Sequence, residues 1–128
     1  MGGQTLITRL NQVALSVHDM DRAVTFYRDV VGLHFLFRAP NVAFFGLAGV
    51  RLMLGQAEPP ELKPAGTVLY FEVDDLDATY ADLCQRGAVA EGAPHRVARL
   101  GENELWMAFF RDPDGNLFAL TAERPIAK

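Results

Sequence analysis

The sequence predicts an α+β fold: two βαβββ modules pairing into a cupped mixed sheet, with helices on its outer face. Three observations carry this expectation. Val17-His18-Asp19-Met20-Asp21 recurs as Val73-Asp74-Asp75-Leu76-Asp77, an internal repeat. Each copy follows a strand-like segment with apolar residues at alternate positions, Gln12 to Val17 and Val68 to Val73. Each copy precedes a helix-like segment that stops at a glycine, Gly32 and Gly87.

The helices have local reasons to form. Asp19 and Asp75 stand where a carboxylate accepts hydrogen bonds from the free N–H groups of a first helical turn. Ala23, Phe26, Tyr27 and Val30 share one helical face, as do Leu76, Tyr80, Leu83 and Cys84. Cys84 therefore reads as packing rather than as a nucleophile. Strands are expected at His34 to Arg38, Val42 to Gly46 and Arg51 to Leu54 in the first module. In the second they are expected at Ala88 to Glu91, Glu104 to Phe110 and Leu117 to Thr121. Gly92 to Gly101, which contains His95, reads as a loop. Gln56 to Gly66 carries Pro59, Pro60 and Pro64 without periodicity and reads as a linker. The expectation is one domain over residues 1–128, with module one at about 10–55, the linker at 56–66 and module two at about 67–122.

Composition narrows the function. The chain has 128 residues, 50% hydrophobic and 22% charged, with a net charge of −4. That length supplies one core, burying roughly two-thirds of the unfolded surface. No Lys/Arg cluster marks a nucleic-acid footprint. No stretch is long and apolar enough for a membrane span. One cysteine and no signal-peptide pattern in residues 1–10 suit a cytoplasmic protein.

Alternation assigns the two faces of each sheet. Val13, Leu15 and Val17, and in the repeat Leu69, Phe71 and Val73, form the oily side that meets the helices. Gln12, Ala14 and Ser16, with Val68, Tyr70 and Glu72, line the other side. A concavity of small, aromatic and a few polar residues suits a small-molecule ligand. Either Phe44 or Phe45 joins it. If Phe110 faces the helices, Met107 and Phe109 face the cup.

The run from Val17 to Tyr27, the Gly32-Leu33 that follows and Asp112-Pro113-Asp114-Gly115-Asn116 resemble the vicinal oxygen chelate superfamily. That superfamily contains glyoxalase I, bleomycin-resistance proteins, fosfomycin-resistance enzymes and extradiol dioxygenases. The resemblance covers roughly Leu10 to Thr121 and implies the paired-module fold. In enzymatic members it implies a divalent metal held by four His/Glu side chains. Carried over by position, those ligands fall on Gln12, Met53, Val68 and Ala119. None suits a hard divalent cation, since valine and alanine offer no donor and an amide and a thioether are poor ones. The expectation is therefore no metal and no cofactor. The chain reads as a binder of a small, partly aromatic molecule in the cup, with Gln12, Met53, Val68, Tyr70, His95, Met107, Phe109 and Ala119 as its contacts. The resemblance also implies a homodimer.

Two enzymatic readings stand beside this one. Glu72, facing a partly apolar cavity, has the makings of an acid/base group for a metal-independent isomerase or lyase. Its plainer reading is an ion pair with Arg51 across the cup, or a place at the rim. The other is a metal-dependent lyase or dioxygenase of the same superfamily, for which the ligands are missing. His18 and His34 read as structural, with His18 on the turn beside the helix cap. His95 reads as a contact at the mouth of the cup.

Overall fold

The computed structural model describes residues 6, 9–56 and 67–126. The order is β1 (Gln12–Val17), α1 (Met20–Thr25) running on as a π-helical segment (Phe26–Val31), β2 (His34–Ala39), β3 (Val42–Leu47) and β4 (Val50–Gln56). Then come β5 (Leu69–Glu72), α2 (Leu76–Gln85), β6 (Val89–Ala90), β7 (His95–Leu100), β8 (Asn103–Arg111) and β9 (Leu117–Pro125). The nine strands form two mixed sheets. The first has the order β1-β4-β3-β2; the second has the order β5-β9-β8-β6, with β7 also pairing β8. In both, the module's first strand runs parallel to its last, β1 to β4 and β5 to β9. The repeat in sequence is thus a repeat in topology. The expected linker begins one residue late, because Gln56 closes β4; its remainder, 57–66, lies outside the described residues.

The expected caps form. Asp19 accepts from the Arg22 N–H and Asp75 from the Ala78 N–H, each at 3.1 Å. Gly32 closes the first helix with φ +88°, a conformation that penalises any residue with a Cβ. The last stretch before it widens into π geometry, with the Gly32 and Leu33 N–H groups both donating to the Tyr27 carbonyl. One element escapes the sequence pattern. The segment read as a loop contains β7, so His95 sits on a strand opposite Met107. All six residues of β7 are exposed, so no apolar alternation advertises the strand.

The oily faces build a single core. Leu15, Val17, Phe45, Leu52 and Leu54 from the first sheet and Phe110, Phe118 and Leu120 from the second belong to one buried cluster. Phe26 and Tyr27 tie the halves together. Phe26 meets Phe118 edge-on at 6.0 Å, while Tyr27 lies 6.2 Å from Phe45. Phe118 also stacks on Phe110 at 5.3 Å and touches Phe71. Cys84 packs against this cluster.

A buried polar latch accompanies the apolar contact. The Asp112 carboxylate accepts from the Tyr27 hydroxyl at 2.6 Å, from the Asp114 and Asn116 backbone N–H groups at 2.9 and 2.8 Å, and from the Asn116 side-chain amide at 3.0 Å. Four donors are what a carboxylate taken out of water requires. Asn116 also donates to the Ser16 carbonyl, and Asp114 accepts from the His18 backbone N–H at 2.6 Å. The second carboxylate oxygen of Asp114 is buried with no hydrogen bond among the described residues; Arg22 and the His18 ring lie 3.4 and 3.6 Å from the first. Burial first, and the Asp112 charge second, push the Tyr27 phenol well above its ordinary range, so it remains a donor.

Phe118→Ala removes a ring that touches both modules and is expected to cost about 3–5 kcal/mol in urea unfolding. Tyr27→Phe deletes one charge-assisted hydrogen bond and is expected to cost about 2 kcal/mol. The folded state holds the Tyr27 proton more tightly than the unfolded chain does. Stability is therefore expected to be retained below about pH 10, where a free tyrosine begins to ionise, and lost as pH rises further. Urea midpoints measured between pH 8 and 11 check this, and the alkaline loss should be shallower in Tyr27→Phe.

Candidate functional site

The faces turned away from the helices carry the residues expected in the cup. On the first sheet, β1 and β4 place Gln12 beside Arg51 and Ala14 beside Met53, and β3 places Phe44 beside Met53. Leu52, Leu54 and Phe45 point the other way, into the core. This settles the two phenylalanines: Phe44 faces the open side and Phe45 the core. Gln12 is fully engaged. Its carbonyl oxygen accepts from the Arg51 Nε at 3.0 Å and its amide lies 3.9 Å from the Met53 sulfur. The Arg51 guanidinium stands 5.9 Å from the centre of the Phe44 ring, and Phe44 stacks on Phe37 at 4.6 Å.

The second sheet carries an aromatic patch. Ala119 pairs with Tyr70 on one side and Phe109 on the other. The Tyr70 and Phe109 rings meet edge-on at 6.4 Å, and His95 stacks on Phe109 at 6.1 Å. Ala119 between them is fully buried, whereas Tyr70 remains 56% exposed. Met107 lies two residues along β8 on the same face, opposite His95. Val68 precedes β5 rather than starting it and is half-buried. Phe110 sits in the core against Tyr80, as expected.

The expected residues therefore gather in two groups. Gln12 and Met53 lie together on the first sheet; Tyr70, His95, Met107, Phe109 and Ala119 lie together on the second. No hydrogen bond, ion pair or ring contact among the described residues links one group to the other. The Arg51–Glu72 ion pair does not form. Arg51 turns to Gln12 and Phe44 on its own sheet, and Glu72 is exposed with no ion pair or hydrogen bond among the described residues. His18 is tied through its backbone to Asp114, and His34 opens β2 in an exposed position.

What the sequence did not reveal is a cavity of about 520 Å³. Its walls come from Val13, Leu33, Phe45, Leu52, Leu69 and Phe71. Of these, Val13, Leu69 and Phe71 were expected to be covered by helices. The first helix ends at Gly32, and no helix residue is among the described residues lining the cavity. Val68, Tyr70 and Thr67 line the cavity from the second module. Arg51 is the only charged residue among the described residues lining it. Arg51 was legible only as a partner for Glu72. The available signal was its place beside Gln12 on the same outward alternation.

A divalent metal does not fit the donor set. Gln12 already spends its amide on Arg51 and Met53, Val68 offers hydrocarbon, and Ala119 is a methyl group beneath two rings. Among the described residues, no three His, Cys, Asp or Glu side chains stand close enough together to hold an ion. No described helix is long and apolar enough to cross a membrane.

The module topology with this pair of faces defines a glyoxalase-type protein. The chain belongs to the Glyoxalase/Bleomycin resistance protein/Dioxygenase superfamily, whose family model matches residues 9–120. It is 30% identical over 118 residues to the metallothiol transferase FosB of Shouchella clausii, covering 88% of this chain and 78% of that protein. It is 31% identical over 129 residues to YraH of Bacillus subtilis, covering 88% and 96% respectively. An integron cassette protein from the Vibrio cholerae mobile metagenome superposes with a TM-score of 0.76 at 20% identity, covering 94% of this chain and 98% of its own; that likeness concerns the fold.

Proposed function

We propose that this protein binds a small, partly aromatic molecule without a metal. The observation that carries the reading is the chemistry at Gln12, Met53, Val68 and Ala119. Four positions that would ligate a cation in an enzymatic relative supply an engaged amide, a thioether and two hydrocarbon groups. Around them the surface is apolar and aromatic. The cavity beside Val68 and Tyr70 falls within the 300–1,000 Å³ span of small-molecule pockets. Pre-formed apolar walls with few polar groups favour planar, weakly polar ligands, because burial of apolar area supplies most of the affinity.

The resemblance to FosB brings a metal-dependent transferase into view as the alternative. The donor set argues against it, since no other described cluster replaces the missing ligands. Glu72 as an acid or base has less support. Such a role draws on apolar surroundings, and Glu72 is exposed and outside the cavity lining.

We place this binder as a cytoplasmic homodimer. The edge strand β2 exposes Leu36 and Phe37, 40% and 53% accessible, and an edge of that kind gains from being covered by a second copy. Light scattering on the purified protein is expected to give twice the chain mass.

Elemental analysis of protein purified without chelator should find zinc, manganese, nickel and iron each well below one equivalent. Stoichiometric metal would overturn the reading. The neutral planar probe 2-naphthamide is expected to raise the unfolding midpoint, by about 2.7 kcal/mol of added stability at a hundredfold excess over its Kd. Tyr70→Ala is expected to weaken that binding while changing stability by less than about 1 kcal/mol, because the ring is more than half exposed.

A further inference from the structure

We infer that the ligand carries an anionic group, with Arg51 as its anchor, and that the natural ligand class is a planar aromatic carboxylate. The inference rests on the binding reading above and adds the charge and polarity of the molecule.

Arg51 is placed and held for this. It lies on β4 at the lip of a cavity whose other described lining residues carry no charge. Its Nε is fixed by the Gln12 carbonyl at 3.0 Å, and its plane lies near the Phe44 ring. Its two terminal nitrogens make no ion pair or hydrogen bond among the described residues. A guanidinium held through Nε presents a fork of N–H donors whose spacing matches a carboxylate. A cation beside apolar walls is less screened than one in open solvent, so an anion gains more from it.

Gln12 gives the arrangement its logic. It stands at a position that the family resemblance assigns to a metal ligand, yet its amide orients an arginine instead. The positive charge at this end of the fold is then a fixed guanidinium. The apolar walls from Val13, Leu69 and Phe71 accept the ring, and Arg51 donates to the carboxylate at the mouth.

Isothermal titration with 2-naphthoate and 2-naphthamide tests this, because the two probes share a ring system and differ in charge. The wild-type protein should bind naphthoate about tenfold more tightly than naphthamide. Arg51→Gln should erase that preference by weakening naphthoate far more than naphthamide. Arg51→Lys, which keeps the charge and loses the fork, should fall between. Gln12→Leu should weaken naphthoate severalfold through loss of Arg51 orientation. Raising the salt concentration should weaken naphthoate alone. Equal affinity for the two probes overturns the anionic assignment and leaves the binding reading intact. A naphthoate preference that survives Arg51→Gln overturns the role of Arg51. Failure of both probes to bind overturns the binding reading and this inference together.

Discussion

The joint between the two modules rests on one buried carboxylate. Asp112 gathers the Tyr27 hydroxyl, two backbone N–H groups and the Asn116 amide, and so fixes the turn before β9 against the first helix. A charge buried this deeply is costly unless it is hydrogen-bonded, and the four donors around Asp112 make the joint specific as well as strong. Phe26 against Phe118 and Tyr27 against Phe45 place the apolar contact on the same two residues that approach the latch. The relative placement of the sheets therefore follows from a few side chains. Among the described residues, no helix lines the end of the oily face where the cavity lies.

That economy explains how binding and stability separate on this fold. The residues that hold the molecule together, Tyr27, Asp112, Phe110 and Phe118, are all buried. Those proposed to meet a ligand, Arg51 and Tyr70, are exposed on strands whose opposite faces carry the core. Strand alternation makes this division automatic, since neighbouring residues serve opposite sides. Phe44 and Phe45 are the plainest case: the first stacks on Phe37 in the open, the second is fully buried.

Sequence reasoning reached the features that are local or periodic. The aspartate caps, the closing glycines and the β1 boundaries need only neighbours along the chain, and all of them stand in the structure. Features set by distant partners were not legible. Asp-Pro-Asp-Gly reads as a turn from its composition, and nothing local says that its first aspartate reaches a tyrosine 85 positions earlier. Strand β7 escaped because both of its faces are exposed and its ends look like loops. The π-helical turn at Tyr27 leaves no trace in a face pattern that a regular helix would also produce. The Arg51–Glu72 pair failed for a related reason. Opposite charges on facing sheets suggested attraction, but Gln12 on the adjacent strand was nearer and already aligned.

On the reading proposed above, a guanidinium in place of a metal changes what a site of this shape does to its ligand. A cation with open coordination positions polarises a bound oxygen and lowers the pKa of water, which is the basis of metal-assisted chemistry. A guanidinium has no coordination position to exchange and no proton it readily gives up, so it offers charge and direction only. Its hold on a carboxylate is strongest toward the full negative charge already present in the free ligand. It therefore stabilises the ground state as much as any later state, and uniform binding of that kind raises affinity without accelerating a reaction. The aromatic walls act in the same sense, because stacking rewards a planar ring that stays planar. The proposed anchor, tied down by Gln12 beside hydrocarbon walls, is thus suited to retention of an intact molecule rather than to its conversion.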